Sequence, residues 1–221
     1  MENTYRDINI AVANEFAKMA ERLGVDVWGA IRLANEHPRV DILQPGPGVG
    51  GHCIAVDPWF LVEATPDLAP LIQQAMAVND RQPMHSANLI QQALGDLSGK
   101  RIAALGLSYK PNVSDLRESP AVEIVGILVE QGAEVHTFEP YDLAASVEGA
   151  EAEGTLESVL LGADAIVLLV NHREFVELDP KQVCQQMAGR VAVDLRGAWQ
   201  ADSWRAAGFE IQTLGVGVSH D

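Results

Sequence analysis

Apolar residues recur at Ile8, Val12, Phe16, Met19 and Leu23, in steps of 4, 4, 3 and 4, the stripe of an amphipathic helix that Gly24 ends. A shorter helix over about 26–35 carries Trp28 and Ile31 and leads into a loop from Arg39 to Cys53. Asp57-Pro58 reads as an N-cap followed by proline at the first helical position, opening a helix through Trp59, Leu61 and Val62. Residues 67–94 read as helical again, with Pro83 marking a break.

The character changes at Asp96-Leu-Ser-Gly99. Arg101-Ile-Ala-Ala-Leu-Gly106 is a short apolar run ending in glycine, the mark of a buried parallel strand. Ser119-Pro120 then caps a helix to about Gln131, followed by a strand over 134–138, a helix over 156–161 and a strand over 165–170. A helix over about 181–187 and strands over 190–195 and 210–214 complete the alternation. The expectation is an α/β protein: an all-helical domain over 1–97, then a doubly wound, mostly parallel, five-stranded Rossmann-like domain over 98–221. Its crevice would lie at the carboxyl ends of the strands.

Composition narrows the partners. The 221 residues hold Lys+Arg 15 against Asp+Glu 31, a net charge of -16, so nucleic acid and anionic membrane surfaces are disfavoured and an anionic ligand must be held by a few local cations. No run reaches transmembrane length and the first residues lack the apolar core of a signal peptide, which makes the cytoplasm the expected compartment. The two cysteines, Cys53 and Cys184, stand far apart in unlike contexts, so a structural disulfide is not expected.

Candidate chemistry concentrates at Pro45-Gly-Pro-Gly-Val-Gly-Gly-His-Cys-Ile-Ala-Val-Asp57. Glycine at this density lets backbone amides come close to a ligand, and it delivers a single thiol, Cys53, with a carboxylate four residues on. A working thiol needs a helix N-terminus or a cation nearby, and the helix opening near Pro58 offers the first. Asp57 reads equally as a helix cap and as a general acid or base. His52 is expected to position or pack rather than pair with Cys53, because neighbours in an extended loop point apart. The six histidines show no ligand spacing, so no metal site is expected. Cys184, on a predicted helix, reads as structural.

A second constellation, Gly106-Leu-Ser-Tyr-Lys-Pro-Asn-Val-Ser-Asp-Leu-Arg-Glu-Ser-Pro-Ala121, leaves the first strand and enters a helix, where α/β domains hold phosphates. It matches neither the dinucleotide fingerprint nor the phosphate loop. Lys110, Arg117 and, after another strand, Arg196 are expected to converge on a diphosphate.

These residues, with Asn3-Thr-Tyr-Arg-Asp-Ile-Asn and Asn14-Glu15, resemble the UDP-glucose/GDP-mannose dehydrogenase family along essentially the whole chain. His before the cysteine and Val-Asp-Pro-Trp-Phe after it resemble the branch acting on UDP-N-acetylmannosamine more than the branch acting on UDP-glucose. The resemblance implies an NAD-dependent oxidation of a UDP-sugar's primary alcohol to a carboxylate, and a homodimer formed through the helical domain. It implies that Cys53 is the nucleophile, with Asp57 organising water and protons and Asn3 steadying the oxyanion. Arg39, Gly46, Gly48, Gly50, Tyr109, Lys110 and Arg196 would contact substrate, and Arg117 the NAD diphosphate.

In the family an NAD-binding domain comes first, and a catalytic lysine sits four residues before the position of Asn3. Neither falls within this sequence, so the chain is expected not to turn over alone. The alternatives are a dehydrogenase for UDP-glucose or UDP-N-acetylgalactosamine, a non-catalytic UDP-sugar-binding dimer module, and a thiol hydrolase using Cys53; the last lacks a histidine placed as its base.

Overall fold

Five helices precede the first strand: α1 (Glu2–Leu23), α2 (Val27–Ala34), α3 (Asp57–Ala64), α4 (Pro70–Asp80) and α5 (Gln82–Leu94). Then follow β1 (Arg101–Leu105), α6 (Pro120–Glu130), β2 (Glu134–Phe138), β3 (Glu151–Ala152), α7 (Leu156–Leu160) and β4 (Ala165–Leu168). The series ends with α8 (Arg173–Val176), α9 (Pro180–Gln186), β5 (Val191–Asp194), α10 (Ala201–Ala206) and β6 (Glu210–Thr213). The computed structural model describes residues 1–217.

The strands form one parallel sheet in the order β3-β2-β1-β4-β5-β6. It has six members where the sequence predicts five; the sixth is the two-residue edge strand Glu151–Ala152, too short to show a period. Chain direction across the sheet reverses at β1, which pairs with β2 on one side and β4 on the other. That is the switch point at which open α/β sheets leave a crevice.

Each sheet face is covered. On one, α5 and α6 bring Ala87, Ile90, Ile124 and Leu128 onto Ile102, Ala104, Val167 and Val193. On the other, Leu105, Ile166 and Leu168 meet Phe175, Trp204 and Phe209, with Trp199 and Trp204 stacked at 4.0 Å. The last helix of the helical portion thus lies in the same core as the sheet.

Helix α1 departs from the simplest reading of its stripe. Its buried face is Thr4, Asp7, Ala11, Ala13, Asn14, Ala17 and Ala20, whereas Val12, Phe16, Met19 and Leu23 are 38%, 41%, 51% and 74% exposed. Small and amide side chains allow α1 to lie close to α4, where Asn79 donates to Asp7 and accepts from Asn14. The large apolar residues therefore face outward.

The end of the sheet clasps the helices. After β6 the Leu214 carbonyl accepts from Trp28 Nε1 at 2.8 Å, the Gly215 carbonyl from the Val27 amide at 2.9 Å, and Glu21 takes the Gly215 amide at 2.8 Å.

Candidate active site

The Cys53 loop is pressed against the turn that leaves β1. Gly51 has φ +85 and its amide donates to the Arg117 carbonyl at 3.0 Å; a Cβ there would stand 2.8 Å from the Tyr109 ring. A Cβ on Gly50 would collide with the Glu118 carbonyl, Pro120 and Tyr109. The glycines at 46, 48 and 50 therefore let protein approach protein: a Cβ at Gly46 would meet the Arg196 guanidinium at 2.8 Å, and its amide is already bonded to Asn14 Oδ1.

Past Gly51 the chain turns rather than runs extended, and the Cys53 carbonyl accepts the Asp57 amide at 2.8 Å. That turn corrects the expectation for His52. Its Nδ1 lies 3.4 Å from Cys53 Sγ, because consecutive side chains in a tight turn can share a side.

Asp57 also departs from its capping role: Val56 holds the cap position, Asp57 is the first helical residue, and it makes no capping bond. Its Oδ2 instead accepts from Asn3 Nδ2 at 2.6 Å. Cys53 with His52, and Asp57 with Asn3, thus form two side-chain pairs joined by the hydrogen bond from the Asp57 amide to the Cys53 carbonyl, where the start of α1 meets the start of α3. Arg117 adds a positive charge nearby, held above the ordinary guanidinium range chiefly by Asp115 and to a lesser degree by Tyr109 and Cys53. Arg117 is largely spent on Asp115, in contacts of 2.6 to 3.1 Å that pull the Asp115 carboxyl down to about 2.

The three cations do not meet in one cavity. Lys110 is exposed, with Nζ 5.4 Å from the Tyr109 ring centre. Arg196 lines a separate cavity of about 750 Å³ between the helices and the carboxyl ends of β4 and β5, which neither Lys110 nor Arg117 lines. Its Nε donates to Asn171 at 3.2 Å. Burial lowers the Arg196 guanidinium while buried Asp194 raises it, with a net fall, and a guanidinium stays charged throughout. Asp194 holds this turn by accepting the Arg196 amide at 2.8 Å and the Trp199 amide at 2.7 Å.

Arg6 and Arg32 line the same cavity, and sequence reasoning missed both. Arg6 lies three residues after Asn3 on α1, on the same helical face, a spacing that could have revealed it. Arg39 is exposed on the loop after α2 and does not line the cavity.

The turn after β1 does not fit a dinucleotide phosphate. The Leu107 and Ser108 amides, which would have to face such a group, both donate to Glu139 Oε2, at 2.8 and 3.0 Å. Cys184 is half-buried against the sheet core, as its structural reading requires. Among the described residues no group of three or more His, Cys, Asp or Glu could hold a metal ion, and no helix is long and apolar enough to cross a membrane.

A thiol on a glycine-rich loop beside a helical portion, followed by an open parallel sheet with a switch point at β1, defines the class. Residues 1–81 match the central domain, and residues 103–201 the UDP binding domain, of the UDP-glucose/GDP-mannose dehydrogenase family, and the chain belongs to that family. Within it, the chain is 43% identical over 223 residues to the UDP-N-acetyl-D-mannosamine dehydrogenase of Methanococcus maripaludis, a match over 99% of this chain and 51% of that protein. It is 49% identical over 203 residues to the NDP-N-acetyl-D-galactosaminuronic acid dehydrogenase of Ralstonia solanacearum, over 90% of this chain and 47% of that one. The solved UDP-D-ManNAc dehydrogenase of Pyrococcus horikoshii superposes with a TM-score of 0.89 at 40% identity, covering 99% of this chain and 51% of that one. The chain spans about half the length of the curated relatives it matches.

Proposed function

We propose that this chain supplies the thiol and the sugar-nucleotide contacts of an NAD-dependent UDP-N-acetyl-D-mannosamine 6-dehydrogenase acting in the cytoplasm on a precursor of surface polysaccharide. The observation that carries the reading is the pairing of Cys53 with His52 and of Asp57 with Asn3 around the start of α3, together with a cavity lined by Arg6, Arg32 and Arg196. Residues 1–97 act as the dimerising portion with the Cys53 loop, and 98–221 as the UDP-sugar-binding portion.

Two NAD, bound in turn, would each accept one of the two hydrides lost in going from alcohol to acid; residues outside these 221 would hold them, since Glu139 fills the turn after β1 and Arg117 is paired. The Cys53 thiol adds to the C6 aldehyde, its sulfur bonding to carbon, its proton passing to His52, whose Nδ1 lies 3.4 Å from the sulfur, and the aldehyde oxygen taking up a proton as the thiohemiacetal forms. At the thioester stage Asp57, held by Asn3, orients the water whose oxygen displaces sulfur, giving the carboxylate and the free thiol. Arg196, with Arg6 and Arg32 beside it, receives the diphosphate, and Tyr109 and Lys110 close on the sugar nucleotide from the β1 side.

A second copy covers the outward stripe of α1. A second reading, an N-acetylgalactosamine-type sugar, is favoured by the 49% identity to the Ralstonia enzyme.

Two measurements test the proposal. The isolated chain, mixed with NAD and UDP-N-acetylmannosamine, shows no growth of reduced-nicotinamide absorbance; steady production overturns the claim that NAD is held elsewhere. Calorimetry detects UDP binding that weakens on Arg196→Ala; absence of binding removes the sugar-nucleotide reading.

A further inference from the structure

The buried pair Glu139 and His172 takes no part in the chemistry above, and the surroundings of the pair give it a task. Glu139 is 3% exposed and His172 0%, so water satisfies neither. Glu139 Oε2 accepts from the Leu107 and Ser108 amides and lies 3.1 Å from His172 Nε2, while Oε1 accepts the Tyr141 amide at 3.1 Å. Burial alone would raise this carboxyl, but hydrogen bonds from His172 and from the Leu107 and Tyr141 amides outweigh it and hold Glu139 below its ordinary range. A carboxylate therefore occupies the place, at the strand-order switch point, where a doubly wound sheet receives a ligand phosphate.

The imidazole passes this restraint on. His172 Nδ1 accepts from the Asn112 amide at 2.9 Å. An amide only donates, so Nδ1 carries no hydrogen and the ring's single N–H sits on Nε2, aimed at Glu139. Asn112 adopts φ 62, unusual for a residue with a side chain, and its Oδ1 accepts from the Tyr141 hydroxyl at 3.2 Å and the Arg173 amide at 3.0 Å. Ser108 Oγ donates to the Lys110 carbonyl at 2.8 Å. Both ends of the 107–112 turn are pinned, while Tyr109 lies against Gly51 and Lys110 stays exposed between them. A histidine serving only as core filling would not spend one ring nitrogen on the turn's Asn112 amide and the other on Glu139, which itself holds the turn's Leu107 and Ser108 amides.

We propose that Glu139 and His172 are positioning residues, an internal anion and imidazole that fix the 107–112 turn and so hold Tyr109 against the Cys53 loop and set the place of Lys110 beside it. The consequence for ligand binding rests on the role given to Lys110 above; the anchoring of the turn does not.

Amide hydrogen exchange and UDP titration on the full 221-residue chain test the two parts separately. With His172→Ala, protection of the Asn112 amide falls roughly tenfold or more while amides of β4 and β5 keep theirs, and UDP binds roughly tenfold more weakly. His172→Asn, whose side-chain oxygen can stand where Nδ1 stands, restores Asn112 protection. The loss of UDP affinity is non-additive with Lys110→Ala and additive with Arg196→Ala.

Protection retained at Asn112 in His172→Ala, protection lost equally across the sheet, or an effect additive with Lys110→Ala overturns the proposal. Should His172→Ala not fold, Glu139→Gln carries the same test, read at the Leu107, Ser108 and Tyr141 amides. Should the unchanged chain bind no UDP, the substrate reading falls, and hydrogen exchange still decides the anchor.

Discussion

Asn3, near the start of α1, donates a 2.6 Å hydrogen bond to Asp57 at the start of α3, joining residues 54 apart in the chain. The bond commits the first residue of α3 to α1 instead of to a cap on its own helix. A double-mutant cycle of Asn3→Ala and Asp57→Ala gives a coupling of about 1 kcal/mol in urea unfolding of the isolated chain. Additive effects would show that the two groups do not meet in solution.

Gly50→Ala destabilises the chain. The added methyl has no room between the Glu118 carbonyl, Pro120 and Tyr109, and separating the Cys53 loop from this turn costs about 1–3 kcal/mol. The change is read as a lowered urea midpoint, with Gly154→Ala, where nothing lies within 4 Å, as the contrast.

Asp7 supplies a pH dependence. It is 2% exposed, and burial first, with Asp80 adding, pushes its carboxyl up to about 6 against the opposing hydrogen bond from Asn79. The native state holds the proton to higher pH than the unfolded chain does. The contribution is therefore most favourable below about pH 4, declines as pH rises to about 6, and stays lower above, by roughly 3 kcal/mol. Asp7→Asn removes this slope; unfolding curves at pH 4 and pH 7 that differ equally in both chains would contradict it.

Cys53 alkylates before Cys184. The first sits on a turn beside His52 and the Arg117 charge, the second packs against the sheet core. Peptide mapping after brief iodoacetamide treatment reads the order directly.

In the proposed dimer, Phe16→Glu with Met19→Glu lowers the molar mass measured by light scattering from two chains to one while leaving the far-ultraviolet spectrum unchanged, because both residues face outward. An unchanged mass would mean that the α1 stripe is not the contact between copies.

How much of this the sequence revealed depended on whether the cause was local. Ser119 caps α6 through its own hydroxyl, and β2 spans 134–138 as predicted, because capping residues and apolar runs act within a few neighbours. The break near Pro83 also followed: α4 and α5 part at Arg81, leaving the proline in the first turn of α5, where its missing N–H is harmless. Periodicity identified α1 but could not say which face would be covered, since the close approach of α4 favours alanine and asparagine over larger groups. Juxtapositions across tens of residues, Asn3 bonded to Asp57 or Arg6 sharing a cavity with Arg196, leave no trace of the partner in the sequence around either residue, and those make up most of the candidate site.

The clasp of residues 214–217 on Trp28, Val27 and Glu21 bears on the order of assembly. During synthesis the helices emerge first, yet the turn joining α1 to α2 gains these partners only after β6 is made. The helical portion must wait, held loosely, for nearly the whole chain to follow, and a ribosome that stalls before residue 214 releases helices whose junction has nothing to close on.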